Sequence, residues 1–151
     1  TLVSDSMSSI GELRYEEDCQ KLFPNVGPFA VLGVSGPYQD CMDIIEAISD
    51  FNKIDHIRNL DFKELDWKAE MIGVTYEGQV WHYNGNRSFE LRPDLPYAIG
   101  SGGDYAIGAM GHGASAQEAV LVAARYDLYT NDRLQVAEIK FNKETEVETL
   151  H

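Results

Sequence analysis

The distribution of hydrophobic and polar positions predicts short buried strands at the start of the chain and an amphipathic helix after them. Residues 1–3 and 29–34 are apolar runs that end at Ser, Gly or Asp, as buried strands do. Residues 10–23, between these two runs, have the pattern of a second hairpin. Over residues 37–52 the period becomes helical, with one apolar stripe formed by Ile44, Ile45, Ile48 and Phe51. Residues 52–66 are charged and mixed, which suits a surface connection or a short helix.

The second half of the chain begins with the pattern of a β meander. Three strand-like runs cover residues 69–76, 79–83 and 88–91. Glu77-Gly78 separates the first two runs, and Asn84-Gly85, a strong hairpin signal, separates the last two. Residues 97–100 are predicted to add a further short strand.

Two helices and a last strand are predicted after the meander. The first helix opens at Ser101 and ends at about residue 111 or 112, and Ser115 with Glu118 forms a capping box that starts the second. Residues 134–141 have the pattern of a final strand, and residues 142–151 that of a charged, loose tail. Because strands and helices come in blocks rather than in alternation, the pattern indicates the α+β class.

Composition and charge then exclude several classes of protein. The chain has 151 residues, 44% of them hydrophobic, with a formal net charge of −13, which predicts one domain over residues 1–141 followed by the tail. No cluster of Lys and Arg is present to neutralise phosphates, so we expect no nucleic-acid partner. No run approaches the roughly 20 apolar residues of a membrane span, so we expect no membrane partner. Cys19 and Cys41 lack metal or redox spacing and are expected to be structural.

Two features in the first third of the chain are suited to chemistry, although each also has an ordinary structural explanation. Asp5 and Lys21 lie sixteen positions apart, but acids and bases in a chain this charged are usually solvated partners. Residues 32–37 lead from a strand through Gly36 into a helix start, where free backbone N–H groups can hold an oxyanion. An ordinary tight turn has the same pattern.

Two further features lie in the last third of the chain. Residues 98–104 form a Gly-rich turn in which Ser101 is a candidate helix N-cap, and the pattern is neither a dinucleotide-binding nor a phosphate-binding loop. Residues 128–132 have the pattern of a helix end, with Asn131 in the left-handed region. Singly, both features are explained by local structure.

The order and spacing of these features resemble the proteasome β-subunit superfamily. The matching segments are Thr1-Leu2-Val3-Ser4-Asp5, Lys21, Gly33-Val34-Ser35-Gly36, Ile99-Gly100-Ser101-Gly102-Gly103 and Tyr129-Thr130-Asn131. They are most similar to the peptidase subunit of the bacterial two-component protease and to its small relatives encoded by bacteriophages. The resemblance implies a four-layer αββα sandwich and a threonine-type N-terminal-nucleophile hydrolase.

The resemblance also implies roles for individual residues. In this family an N-terminal threonine attacks the carbonyl and uses its own α-amino group as the base. Lys21 would lower the pKa of that nucleophilic centre, and Asp5 would pair with Lys21 and orient it. The N–H of Gly36 would donate to the oxyanion, and Ser101 would lie near the nucleophile's amino group.

Cofactors, partners and location follow from the same resemblance. No cofactor is required, although backbone oxygens around Asp127 and Thr130 would be the place for a monovalent or divalent cation. We expect a homo-oligomer, built as a ring or stacked rings, that acts on a peptide or protein substrate. The implied location is the cytoplasm, or the host cytoplasm or virion for a phage-encoded protein.

Thr1 does not suit the position of the nucleophile. It precedes Asp5 by four residues, which span at most ~14 Å, whereas the nucleophile should precede Asp5 by roughly a dozen residues. We therefore expect an amide- or peptide-bond hydrolase whose nucleophilic threonine lies upstream of Thr1, with the first strand cut short at its start. The alternatives are a catalytically inactive structural or assembly protein of the same fold, either ring-forming or virion-associated, and a small-molecule amidase. The histidines at 56, 82 and 112 are expected to be structural.

Overall fold

A computed structural model of the chain describes residues 1–10, 13–16, 18–50, 68–84, 88–139 and 147–150. The described strands are β1 Leu2–Ser4, β2 Ser8–Ile10, β3 Leu13–Glu16, β4 Leu22–Val26, β5 Phe29–Ser35, β6 Glu70–Thr75, β7 Val80–Tyr83, β8 Ser88–Leu91, β9 Leu134–Ala137 and β10 Val147–Leu150. The described helices are α1 Tyr38–Ser49, α2 Gly103–Gly111 and α3 Ala116–Tyr126. This mixture of helices and sheets confirms the α+β class. None of these three helices is long and apolar enough to cross a bilayer.

The largest sheet is a five-stranded antiparallel meander in the order β4-β5-β6-β7-β8. Every residue of β5 except the last is buried, because this central strand is covered on both faces. On one face, Ile44 and Ile48 of α1 pack in a single core cluster with Leu32 of β5 and Met71 of β6. The described part of the apolar stripe predicted for the helix, Ile44, Ile45 and Ile48, thus faces the sheet.

The opposite face of the meander packs against a second sheet, in the order β1-β9-β10. Leu22 of β4 and Val31 of β5 form a cluster with Ala137 of β9, and the half-buried Leu2 of β1 packs against it. Helix α3 contacts β1 and β9, and it also packs against α2. Helix α1 therefore covers one face of the meander, and the second sheet packs against the other.

The end of the chain differs from the sequence prediction. The predicted strand over residues 134–141 ends at Ala137, and residues 140–146 lie outside the described part. Residues 147–150 are not a loose tail but the strand β10, paired antiparallel with β9. Val147 and Leu150 are half-buried while the polar residues between them are exposed, so a modest apolar contribution is enough to hold this edge strand.

Several other element predictions are confirmed. The hairpin predicted within residues 10–23 is present as β2 paired with β3, although it begins two residues earlier, at Ser8. Helix α1 is shorter than predicted, because Pro37 is its extended N-cap and Asp50 its C-cap. Phe51 and the segment 52–66 lie outside the described residues. The three strands predicted within residues 69–91 are present as β6, β7 and β8. Tyr83 of β7 pairs with Ser88 of β8, and residues 85–87 between them are not described.

The region between the meander and α3 contains one wrong prediction and one confirmed one. Residues 97–100 form no strand: Pro96 precedes them, and Gly100 has φ +88°, which takes the backbone out of the extended region. At Ser115 the capping box is present, since the Glu118 N–H donates to Ser115 Oγ at 3.2 Å and the Ser115 N–H donates to Glu118 Oε2 at 2.8 Å. His112 is the C-cap of α2, a structural position as expected.

Candidate active site

Asp5 and Lys21 form a close ion pair where β1 ends and β4 begins. Lys21 Nζ lies 2.6 Å from Asp5 Oδ1, and the two side chains are 23% and 11% exposed. The second carboxylate oxygen of Asp5 accepts the N–H of Met7 at 3.2 Å and the N–H of Asn131 at 3.1 Å. Three donors therefore hold this carboxylate, so the pair differs from the solvated partners that such residues usually make.

A buried amide that sequence reasoning missed places the backbone of Lys21. Gln135 of β9 accepts the N–H of Lys21 at 2.8 Å and that of Leu22 at 3.1 Å through Oε1, and its Nε2 donates to the carbonyl of Cys19 at 2.7 Å. Its side chain thus joins β9 to the start of β4. The sequence signal for it was a polar residue inside an apolar run predicted to be a buried strand, because buried amides need partners.

Asn131 has a different role from the one predicted. Asn25 is the only described non-glycine residue with positive φ, so Asn131 is not in the left-handed region. Its side chain is buried, and Oδ1 accepts hydrogen bonds from the N–H of Ser6 at 3.1 Å and of Arg133 at 3.2 Å. Together with the bond from its own N–H to Asp5, these contacts fix the turn after β1 against the segment that leads into β9.

A cavity of about 280 Å³ lies beside the ion pair. Asp5, Lys21, Ser101 and Thr130 line its polar part. The apolar lining includes Leu2, Ile72, Val74, Val80, Leu91 and Met110. Four of the predicted site residues, from distant parts of the chain, therefore meet at one concave surface, as residues of binding sites do.

Gly36 lies at the same end of the meander but is not among the residues that line this cavity. The N–H of Val34 donates to the Lys21 carbonyl at 3.1 Å. Gly36 is two residues beyond Val34 in the chain. Ser35, between them, lines the cavity. Gly36 has φ +124°, and a Cβ there would lie 2.8 Å from the Cα of Ala69, so the turn requires glycine for its own geometry.

Ser101 and Thr130 are joined through Asp127. Both hydroxyls donate to Asp127 Oδ2, each at 2.6 Å. The N-cap of α2 is Gly102, so Ser101 is not the cap that its position suggested. Burial would raise the pKa of Asp127, but the hydrogen bonds from Ser101 and Thr130, aided by the charge of Lys21, outweigh burial and hold that pKa below its usual value. The Asp127 carboxylate is therefore ionised at neutral pH.

The two cysteines add no reactive thiolate to the site. Cys19 and Cys41 are free thiols, and burial, followed by the charge of Asp40, raises the pKa of Cys41 to about 11. Burial also raises the pKa of Cys19, so both stay protonated and unreactive at neutral pH. Within the described ranges, no three His, Cys, Asp or Glu side chains are grouped to hold a metal ion. A cation on backbone oxygens near Asp127 and Thr130 stays a prediction.

No protein-family model matches the chain, and no curated protein matches it in sequence.

Proposed function

We propose that this protein is an amide- or peptide-bond hydrolase of the proteasome-like N-terminal-nucleophile type. The observation that carries the proposal is the Lys21 ammonium, held 2.6 Å from Asp5 on the wall of a cavity that Ser101 and Thr130 also line. A partly buried ammonium raises the local positive potential, which favours the neutral, basic form of a nearby α-amino group. The packing order of α1, two sheets and the α2–α3 pair supports a four-layer αββα arrangement.

We place the nucleophilic threonine upstream of Thr1. The Thr1 hydroxyl donates to Glu138 at 2.8 Å, and the next residue, Leu2, is already paired in register with Ala137 of β9. Strand β1 is at the edge of its sheet among the described strands, so a further strand can pair along it. Ser4 Oγ, beside that edge, is buried without a hydrogen-bond partner among the described residues and lines the cavity. A strand paired there would bring the N-terminal threonine toward Lys21.

The proposed chemistry needs only protein groups and water. The α-amino group of the threonine takes the proton of its own hydroxyl as the oxygen attacks the carbonyl, and it then passes that proton to the leaving nitrogen as the amide bond breaks, which leaves an ester and releases the amine product. Water then hydrolyses the ester by the same proton route. Lys21 supplies positive charge throughout, while Asp5 keeps its ammonium in place. A backbone N–H at the turn of Gly36 would stabilise the oxyanion.

Covalent labelling tests this function. The protein made from its natural gene should form one adduct, located by mass spectrometry on an N-terminal threonine, with a peptide epoxyketone that reacts with a hydroxyl and a neighbouring amine. Lys21→Ala should slow labelling by at least about tenfold, because the charge that tunes the amine is lost. Lys68→Ala, at an exposed position that does not line the cavity, is the control and should label at the normal rate.

The outcomes of this test separate the enzyme from the assembly protein of the same fold. An intact protein with a free N-terminal threonine that forms no adduct would contradict the hydrolase. Equal labelling rates for Lys21→Ala and the wild type would contradict the role of Lys21. An assembly protein should show only a change in stability on losing Lys21.

The protein is also proposed to work as a homo-oligomer, as a ring or stacked rings, on peptide or protein substrates in the cytoplasm or a virion. Apolar side chains are exposed along α2, α3 and the turn after α3, a surface that we call the outer apolar patch: Tyr105, Ile107, Leu121, Tyr126, Leu128 and Tyr129. An exposed apolar surface of this kind is typical of an interaction site.

A further inference from the structure

One wall of the cavity is a segment with no helix or strand, which we call the strap, residues 97–101. All five of its residues line the cavity. At its end, Ser101 is bound to Asp127 at 2.6 Å. Near its middle, Gly100 lies so close to β5 that a Cβ would be 2.7 Å from Ser35 Oγ. Because the strap lacks the ladder of hydrogen bonds that holds a strand, its position depends on such individual contacts.

The other end of the strap is attached to the meander by a buried histidine. The Tyr97 hydroxyl lies 3.1 Å from Nδ1 of His82, a residue of β7 that is only 4% exposed. The two rings also pack at a centroid distance of 5.1 Å. On the far side of the imidazole, Nε2 lies 3.2 Å from Oε2 of Glu70 on β6. Glu70, His82 and Tyr97 thus form a continuous chain from the sheet to the cavity wall.

One tautomer of His82 satisfies both contacts at once. A carboxylate only accepts hydrogen bonds, so Glu70 selects the form of the neutral imidazole with its proton on Nε2. The other nitrogen, Nδ1, is then an acceptor, and the Tyr97 hydroxyl donates to it. Glu70 therefore determines which way the bond to Tyr97 runs, and the sheet presents a fixed acceptor to the strap.

We infer that Tyr97 is a positioning residue, anchored through His82 and Glu70, that holds the strap and with it Ser101 in the cavity wall. The effect on the reaction rests on the proposed function, whereas the anchoring of the strap does not depend on it. Tyr97 is 38% exposed, so packing holds its ring only in part and the hydroxyl bond adds to that hold. Losing that bond should loosen residues 98–101 while leaving the sheets intact.

Tyr97→Phe tests the anchor, because it removes the hydroxyl and keeps the ring. Tyr105→Phe is the matched control, since Tyr105 is a similarly exposed tyrosine whose ring stacks on Tyr126 at 5.8 Å. His82→Asn retains an acceptor toward Tyr97, and His82→Leu removes it at similar volume. Backbone ¹⁵N order parameters of residues 98–101 are measured in each variant, with kcat and KM on a fluorogenic peptide amide in parallel.

In Tyr97→Phe, and in His82→Leu if it folds, the order parameters should fall from about 0.85 to below about 0.6. His82→Asn and Tyr105→Phe should retain the higher values. In Tyr97→Phe, kcat should fall about tenfold, by more than KM changes, because Ser101 is displaced while Asp5 and Lys21 stay in place. Unchanged order parameters in Tyr97→Phe would overturn the anchor, and so would an equal fall in Tyr105→Phe. An unchanged kcat in Tyr97→Phe would overturn the positioning role of Tyr97. A wild type without turnover would remove the proposed function, while the order parameters would still decide the anchor.

Discussion

The residues around the cavity are held by carboxylate and amide groups that each accept or donate several hydrogen bonds. Asp5 takes three donors, Gln135 bridges three backbone groups of residues 19–22, and Asp127 accepts two hydroxyls on a single oxygen. Such bonds to an ionised group are stronger than those between neutral groups. The shape of the polar end therefore depends on the carboxylates of Asp5 and Asp127.

This dependence gives a pH prediction for Asp127. Its pKa is lower in the folded protein than in the unfolded chain, so its contribution to stability is complete above the unfolded value of about 3.9 and is lost as the pH falls through the folded value. In Asp127→Asn the free energy of unfolding should therefore fall less than in the wild type as the pH is lowered from about 5 to about 2. Urea denaturation at a series of pH values measures this slope.

Asp104→Asn, which changes an exposed aspartate in the first turn of α2, is the control for that experiment. If the slope of unfolding free energy against pH changes equally in Asp104→Asn and Asp127→Asn, the hydrogen bonds from Ser101 and Thr130 do not hold the Asp127 carboxylate as described.

At the scale of elements, the turn from β5 into α1 determines where the Gly36 amide lies. The positive φ of Gly36 and its approach to Ala69 both exclude a side chain. Gly36→Ala should lower the free energy of unfolding by about 1–3 kcal/mol, because the new Cβ meets backbone that cannot move away easily. Gly108→Ala is the control in α2, where a Cβ meets nothing within 4 Å, and it should stabilise the protein by up to about 1 kcal/mol. Denaturant unfolding measures both, and a harmless Gly36→Ala would contradict this account of the turn.

The sequence predicted the elements that have a strong local signal. The buried run of β5, the stripe of α1 and the capping box at Ser115 were all recognised, because period and cap chemistry are properties of neighbouring residues. The strand predicted at 97–100 was wrong, since an apolar run after two prolines does not show whether a partner strand exists. Strand β10 was missed for the converse reason. Its own sequence pattern is weak, and it is a strand because it pairs with β9, which the local sequence does not reveal.

The candidate site shows the same division between local and long-range information. Asp5, Lys21 and Ser101 were named from motif order, and the structure brings them to one cavity. The supporting groups Gln135 and His82 carry no local signal that identifies their partners, which are more than ten residues away in the chain.

At the scale of the whole molecule, the outer apolar patch is the surface that we expect to be buried between copies. Leu128 is 78% exposed there, so Leu128→Glu should cost little in the isolated chain but should place a charge in an apolar interface. The mass measured by sedimentation should fall to that of smaller species. Tyr38→Glu, at a position 68% exposed in the first turn of α1, is the control, and its mass should be unchanged. An unchanged mass in Leu128→Glu would exclude this patch as the interface.

The position of β1 at the edge of its sheet, among the strands that the structure describes, has a consequence for handling the protein. Wherever no strand covers that edge, its backbone N–H and C=O groups are a template on which another molecule can stack, the first step of aggregation. The net charge of −13 opposes such stacking by repulsion, but at 0.1 M salt that repulsion reaches only about 10 Å. Colloidal stability in storage should thus depend on dilute buffer at a pH well above the isoelectric point.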